Sequence, residues 1–183
     1  YPHELAIIKA GQYHQFNLGN SPGMLRLINP VMDANADNPY VHGMQAFALE
    51  QCHQLDAAEA AAWKAVELQR KEPWAHHALA HVMLTQGRID EGIRFFDDVR
   101  DTWTDLNSFM YTHNWWHDAV FQISRGHYDA ALKMYDTEIW GKLKDYSQDQ
   151  IGAVSLLARL ELVGVDVGDR WQDVAECMKP RVD

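Results

Sequence analysis

Apolar residues along the chain recur at intervals of three and four, and period-two alternation is almost absent. That spacing predicts helices and no sheet. Turn signals divide the pattern at regular intervals: Gly19-Asn20-Ser21-Pro22, His53-Gln54-Leu55-Asp56, Gly87-Arg88-Ile89-Asp90, Gly126-His127-Tyr128-Asp129 and Gly164-Val165-Asp166-Val167-Gly168. A glycine just past a helix supplies the left-handed residue that ends it. The chain therefore reads as ten helices in five hairpins: 3–18 with 22–33, 39–53 with 56–70, 74–86 with 89–101, 107–125 with 128–140, and 148–163 with 168–178.

The hairpins repeat. His53 to Gly87 spans 34 residues and Gly87 to Gly126 spans 39. Leu79-Ala80 and Met83 precede Gly87, and Gly92, Phe96 and Val99 follow it. Trp115 and Ala119 precede Gly126, and Ala131 and Tyr135 follow it. Small residues let paired helices approach, and large ones fill the space between them. A helix pair at this period is the tetratricopeptide pattern, and the expected fold is all-α, a right-handed α-α superhelix. The first helix of each hairpin is expected to line the concave surface. The five additional residues before Gly126 are assigned to the first helix of that hairpin or to the loop before it.

Composition narrows the function classes. A length of 183 suits one domain, but the repeat phasing recasts residues 1–183 as a single array cut from a longer chain. The opening Tyr1-Pro2, without Met or a signal-peptide pattern, agrees with that reading. Net charge is −10 and no basic run occurs, which argues against nucleic acid and anionic membranes as partners. No apolar run approaches the ~20 residues of a membrane span. Cys52 and Cys177 define neither a disulfide framework nor a metal knuckle, so buried free thiols in a reducing, cytoplasmic setting are expected.

Certain strings are more specific than a generic repeat. Pro73-Trp74-Ala75-His76-His77-Ala78-Leu79-Ala80-His81-Val82, Gly87-Arg88-Ile89-Asp90-Glu91-Gly92 and His113-Asn114-Trp115-Trp116-His117 resemble the tetratricopeptide-repeat-protein-38-like family. So do Tyr135-Asp136, Arg159-Leu160-Glu161-Leu162 and Asp166-Val167-Gly168-Asp169-Arg170-Trp171. The resemblance runs from about Tyr40 to Trp171. It implies a helical-repeat protein with no settled biochemical activity, and members that extend further upstream.

Ten histidines and seven tryptophans need explaining. His77 and His81 are four apart, as are His113 and His117, so each pair shares one helix face. If both pairs face the groove, they make a nitrogen donor set for Zn, Cu, Ni or Fe, although the sequence requires no cofactor. Glu50, Asp118 or His42 could complete or orient such a set. The competing structural reading makes them hydrogen-bonded spacers packed against Trp115 and Trp116. Imidazole also suits acid–base chemistry, but no serine elbow or catalytic cysteine motif accompanies it, and no catalytic residue is assigned. His76 reads as a core histidine, His127 as exposed, and His53 as a stand-in for the turn glycine.

The tryptophans read as wedges between hairpins, with Trp115 and Trp116 directed to different seams. The expected function is a binding scaffold whose groove takes a peptide, a protein partner or a small ligand. His42, His77, His81, His113, Asn114, His117 and Phe121 are the expected lining. Uncapped ends of the stack are expected to permit self-association.

Overall fold

The computed structural model describes residues 3–179. They form α1 (Leu5–Asn17), α2 (Ser21–Ile28), α3 (Pro39–Gln51), α4 (Leu55–Leu68), α5 (Pro73–Thr85), α6 (Ile89–Val99), α7 (Ser108–Arg125), α8 (Tyr128–Met134), α9 (Ser147–Leu162) and α10 (Arg170–Met178). No strand occurs among the described residues. They fall into two compact units, one running up to Arg88 and one starting at Ile89.

All five expected turns close in one way. The turn residues have positive φ: Gly19 67°, His53 58°, Gly87 71°, Gly126 86° and Gly164 86°. At each, the following amide reaches back five residues: Asn20 N to Gln15 O at 2.9 Å, Gln54 N to Leu49 O at 2.9 Å, Arg88 N to Met83 O at 2.9 Å, His127 N to Gln122 O at 2.8 Å, and Val165 N to Leu160 O at 3.0 Å. These are Schellman caps, which satisfy carbonyls that a helix end leaves open. Helix starts are capped as well. The side chains of Asn38 and Asn107 accept from Tyr40 N and Met110 N, each at 3.0 Å.

In the first unit, Met24, Ile28, Val41, Met44 and Phe47 form a core on α2 and α3. α4 turns Ala58, Ala61, Ala62 and Ala65 inward, a small-residue face that lets it lie close to its neighbours. α2 stops at Ile28 rather than continuing to residue 33. Pro30 lacks the N–H that a continued helix needs, and short 3-10 turns at Asn29–Val31 and Asp33–Asn35 follow instead.

In the second unit, Ala119, Ala131, Tyr135, Leu156, Leu157 and Leu160 form a core between α7, α8 and α9. The longer repeat spacing appears as a longer first helix: α7 has 18 residues, against 13 in α3 and in α5. α8 ends at Met134 and passes into a π-helical turn, Tyr135–Ile139, so the regular helix is shorter than the sequence suggests. α10 is tied down by Arg170, whose Nε and Nη2 donate to the Asp136 carboxylate at 2.8 and 2.7 Å. Trp140 Nε1 donates to Asp173 at 2.5 Å.

Candidate functional site

The α5 histidines sit in a helix fixed at its start. Pro73 occupies the first turn, and Glu72 Oε2 accepts from Ala75 N at 2.5 Å. His76 is fully buried, with Nε2 2.8 Å from the Arg70 carbonyl. Burial pushes its pKa down to about 4, so it is neutral at pH 7. His77 and His81 lie one turn apart with ring centroids separated by 4.4 Å. The His77 ring packs 5.2 Å from Phe47 and edge-on to Trp74 at 5.7 Å. His81 Nδ1 lies 3.1 Å from Glu50 Oε1 on α3.

The α7 histidines are built differently. His113 stacks on Phe109 (5.0 Å, 19° between planes) and on Trp116 (5.7 Å, 4°). The guanidinium of Arg159, from α9, lies 5.1 Å from the Trp116 ring. His117 meets Trp116 edge-on at 4.9 Å. Its Nε2 lies 3.2 Å from His113 Nε2.

Within each pair, a ring nitrogen of one histidine lies within 4.8 Å of a ring nitrogen of the other. Two nitrogens bound to one tetrahedral ion at about 2.0–2.1 Å stand roughly 3.3 Å apart. The 3.2 Å separation on α7 therefore fits a chelate edge with little adjustment.

No family model matches the chain. Solved structures do. TPR-like repeats of a putative kinesin light chain from Podosopora anserina superpose with a TM-score of 0.70 at 12% identity, over 100% of this chain and 98% of that one. A thermophilic TPR protein of Thermus thermophilus gives 0.70 at 12% identity, over 92% of this chain and 87% of that one. A tetratricopeptide repeat protein from Parabacteroides merdae gives 0.58 at 17% identity, over 94% and 70%. The chain has the tetratricopeptide-repeat fold.

Not every sequence candidate lies where a groove residue of that fold would. Phe121 is fully buried against Phe96, with ring centroids 5.6 Å apart, and belongs to the core of the second unit. Asn114 is also fully buried. Both were expected in the groove lining, and the structure buries both side chains. His42 lies on α3 with Nε2 2.7 Å from the Ala36 carbonyl. Asp118 is buried and engaged by Arg100 Nη1 at 3.2 Å and Gln122 Nε2 at 3.1 Å. Burial moves its pKa upward. Of the three candidate orienting groups, Glu50 is the one bonded to a paired histidine.

Two of the expected tryptophan wedges separate clearly. Trp115 packs edge-on to Trp103 at 5.4 Å, while Trp116 is directed toward α9, within 4.0 Å of the position a Cβ on Gly152 would take. Trp63 is exposed on α4 and is not a wedge; its Nε1 lies 3.4 Å from Glu59 on its own helix. The two free cysteines are half-buried rather than buried. No helix among the described residues is long and apolar enough to cross a membrane. The aromatic surroundings of each pair carried no distinctive sequence signal apart from Trp116, because their partners lie on other helices or a full turn away.

Proposed function

We propose that this chain is a helical-repeat scaffold for protein partners, with the exposed α1 end of an aromatic row in the first unit as its recognition surface. Phe16 on α1 packs 5.4 Å from Phe47 on α3, and Phe47 packs 5.6 Å from Trp74 on α5. The row thus joins the first helices of three successive hairpins. Its α1 end is open to solvent through Tyr13 and Phe16, and exposed aromatics on a rigid helix are efficient binding anchors. The quoted histidine and tryptophan strings support placing the chain in the tetratricopeptide-repeat-protein-38-like family. Cross-linking mass spectrometry on wild type and on Tyr13→Ala/Phe16→Ala tests the surface. Partners cross-linked to α1 in wild type and lost in the variant, at unchanged melting temperature, support it. An unchanged partner set overturns it.

A second reading has its own observation. The His77/His81 pair and the His113/His117 pair act as ligands of divalent transition-metal ions (Zn, Cu, Ni or Fe). The 3.2 Å nitrogen separation on α7 supports this most directly. Burial supports it as well: His77 and His117 are 4% and 3% exposed, enough for a small ion reached through local opening and too little for a peptide contact. Elemental analysis of untagged protein, with His77→Ala/His81→Ala and His113→Ala/His117→Ala, decides it. Loss of bound ion in one variant assigns a ligand role to that pair. No bound ion and no thermal shift with any of the four metals overturns the reading.

A further inference from the structure

We propose that Glu50 is the outer-sphere carboxylate of a divalent transition-metal site on α5, fixing His81 as an Nε2 ligand. The inference rests on the metal reading above and adds a residue, a tautomer and an ion class to it.

A neutral imidazole has one N–H and one lone pair, on opposite sides of the ring. The partner of one nitrogen therefore decides which nitrogen is left for a metal. Glu50 Oε1 stands 3.1 Å from His81 Nδ1, so the carboxylate accepts the Nδ1 proton and the lone pair resides on Nε2. The carboxylate is itself held. Gln51 Nε2 donates to Glu50 Oε2 at 2.7 Å, which leaves each oxygen with a partner. The Glu50 side chain is 11% exposed, so water competes weakly for it.

The ring has little room to turn. Phe47 meets His81 nearly perpendicular at 6.5 Å, and His77 lies 4.4 Å away on the other turn. A fixed ring with a carboxylate behind it is a more basic and better aimed ligand than a free histidine. Because both Glu50 oxygens are engaged, the carboxylate is not itself an inner ligand. The donor set is then imidazole nitrogen alone, which selects Zn, Cu(II) or Ni(II) over the oxygen-demanding Mg and Ca.

The experiment uses zinc chloride and the full chain. Calorimetric titration compares wild type, Glu50→Gln and Glu50→Ala, with His81→Ala as the ligand control and ion-free melting curves as the fold control. Long-range proton–nitrogen NMR reads the His81 tautomer in the ion-free protein. Expected are an Nδ1–H tautomer, zinc affinity reduced about 10–100-fold in Glu50→Ala, and a smaller loss in Glu50→Gln, which keeps a neutral acceptor. Failure of wild type to bind zinc, with the Nδ1–H tautomer present, overturns the metal reading on which this rests. Zinc binding that Glu50→Ala leaves unchanged, or an Nε2–H tautomer in wild type, overturns the role of Glu50 alone.

Discussion

The Glu72 carboxylate fills the space that a side chain on Gly43 would need: a Cβ there would stand 2.5 Å from Oε2 and 2.9 Å from Cδ. The carboxylate cannot simply swing aside, because it is buried and caps α5 through Ala75 N. Gly43→Ala is expected to cost about 1–3 kcal/mol, combining overpacking with a weakened cap. Denaturant titration measures it. In Gly43→Ala/Glu72→Ala the obstacle is gone, so the two costs should fall short of additive. Additive losses would mean that another group resists the methyl.

The start of α5 also gives stability a pH dependence with two limbs. Burial raises the Glu72 pKa to about 7, an effect only partly offset by the Ala75 amide and Lys9. The folded state therefore binds this proton more tightly than the unfolded chain. The contribution is complete below the unfolded carboxylate range and is lost as pH rises through about 7. His76 acts in the opposite direction. Its pKa falls to about 4, so the unfolded chain takes the proton first and stability declines as pH falls from about 6.5 toward 4. Each limb is worth up to about 3 kcal/mol. Between about pH 4.5 and 6.5 the two slopes oppose and cancel, so the wild-type melting temperature should change little across that range. Glu72→Gln should unmask the His76 slope, with stability rising from about pH 4 to 6.5, and His76→Gln should unmask the Glu72 slope, with stability falling from about pH 4.5 to 7. Variants whose melting temperatures stay flat over those ranges would contradict both assignments.

His53 does with a side chain what glycine does at the other four turns. Its φ is 58°, and its cap bonds match theirs in length: His53 N to Glu50 O at 2.7 Å and Gln54 N to Leu49 O at 2.9 Å. Left-handed backbone costs a residue with a Cβ roughly 1–2 kcal/mol, and glycine returns part of that gain as unfolded-state entropy. His53→Gly should therefore stabilise the chain by about 0.5–1 kcal/mol. His53→Val, β-branched and ill suited to positive φ, should destabilise it. Paired urea titrations distinguish the two signs.

The hairpin boundaries were legible because the left-handed cap is a demanding local requirement, and Gly19, Gly87, Gly126 and Gly164 meet it in the sequence itself. His53 was found only through the spacing of its neighbours. The histidine pairs were legible for a similar reason, since residues four apart on one helix share a face whatever the rest of the chain does. Glu50 was one of three acceptable orienting groups, because only the packing of α3 on α5 brings it to His81. Glu72 carried only a partial signal: Pro73 marks a helix start, but glutamate is not among the favoured capping residues. The burial of Phe121 was not legible, because helical periodicity gives the angle around α7 and not what packs on each side.

The packing of Phe121 leads to a sharp test. A Cβ on Gly92 would overlap three ring carbons of Phe121. Like the Glu72 carboxylate, the obstacle is held in place: Phe96 meets the ring at 85°, and Trp103 meets Phe96 at 83°. Perpendicular aromatic packing of this kind leaves no empty rotamer to move into. Gly92→Ala is expected to cost about 3 kcal/mol, the upper part of the overpacking range. For a chain of this size that is a fall of roughly 6–12 °C in melting temperature. Phe121→Ala should cost a similar ~3–5 kcal/mol through the cavity it leaves. A residue lining a groove would behave otherwise, losing ligand and keeping stability. Phe121→Leu in the Gly92→Ala background decides between clash and general disturbance. The smaller side chain should recover part of the loss if the ring is the obstacle, and should deepen it if the methyl strains the backbone of α6.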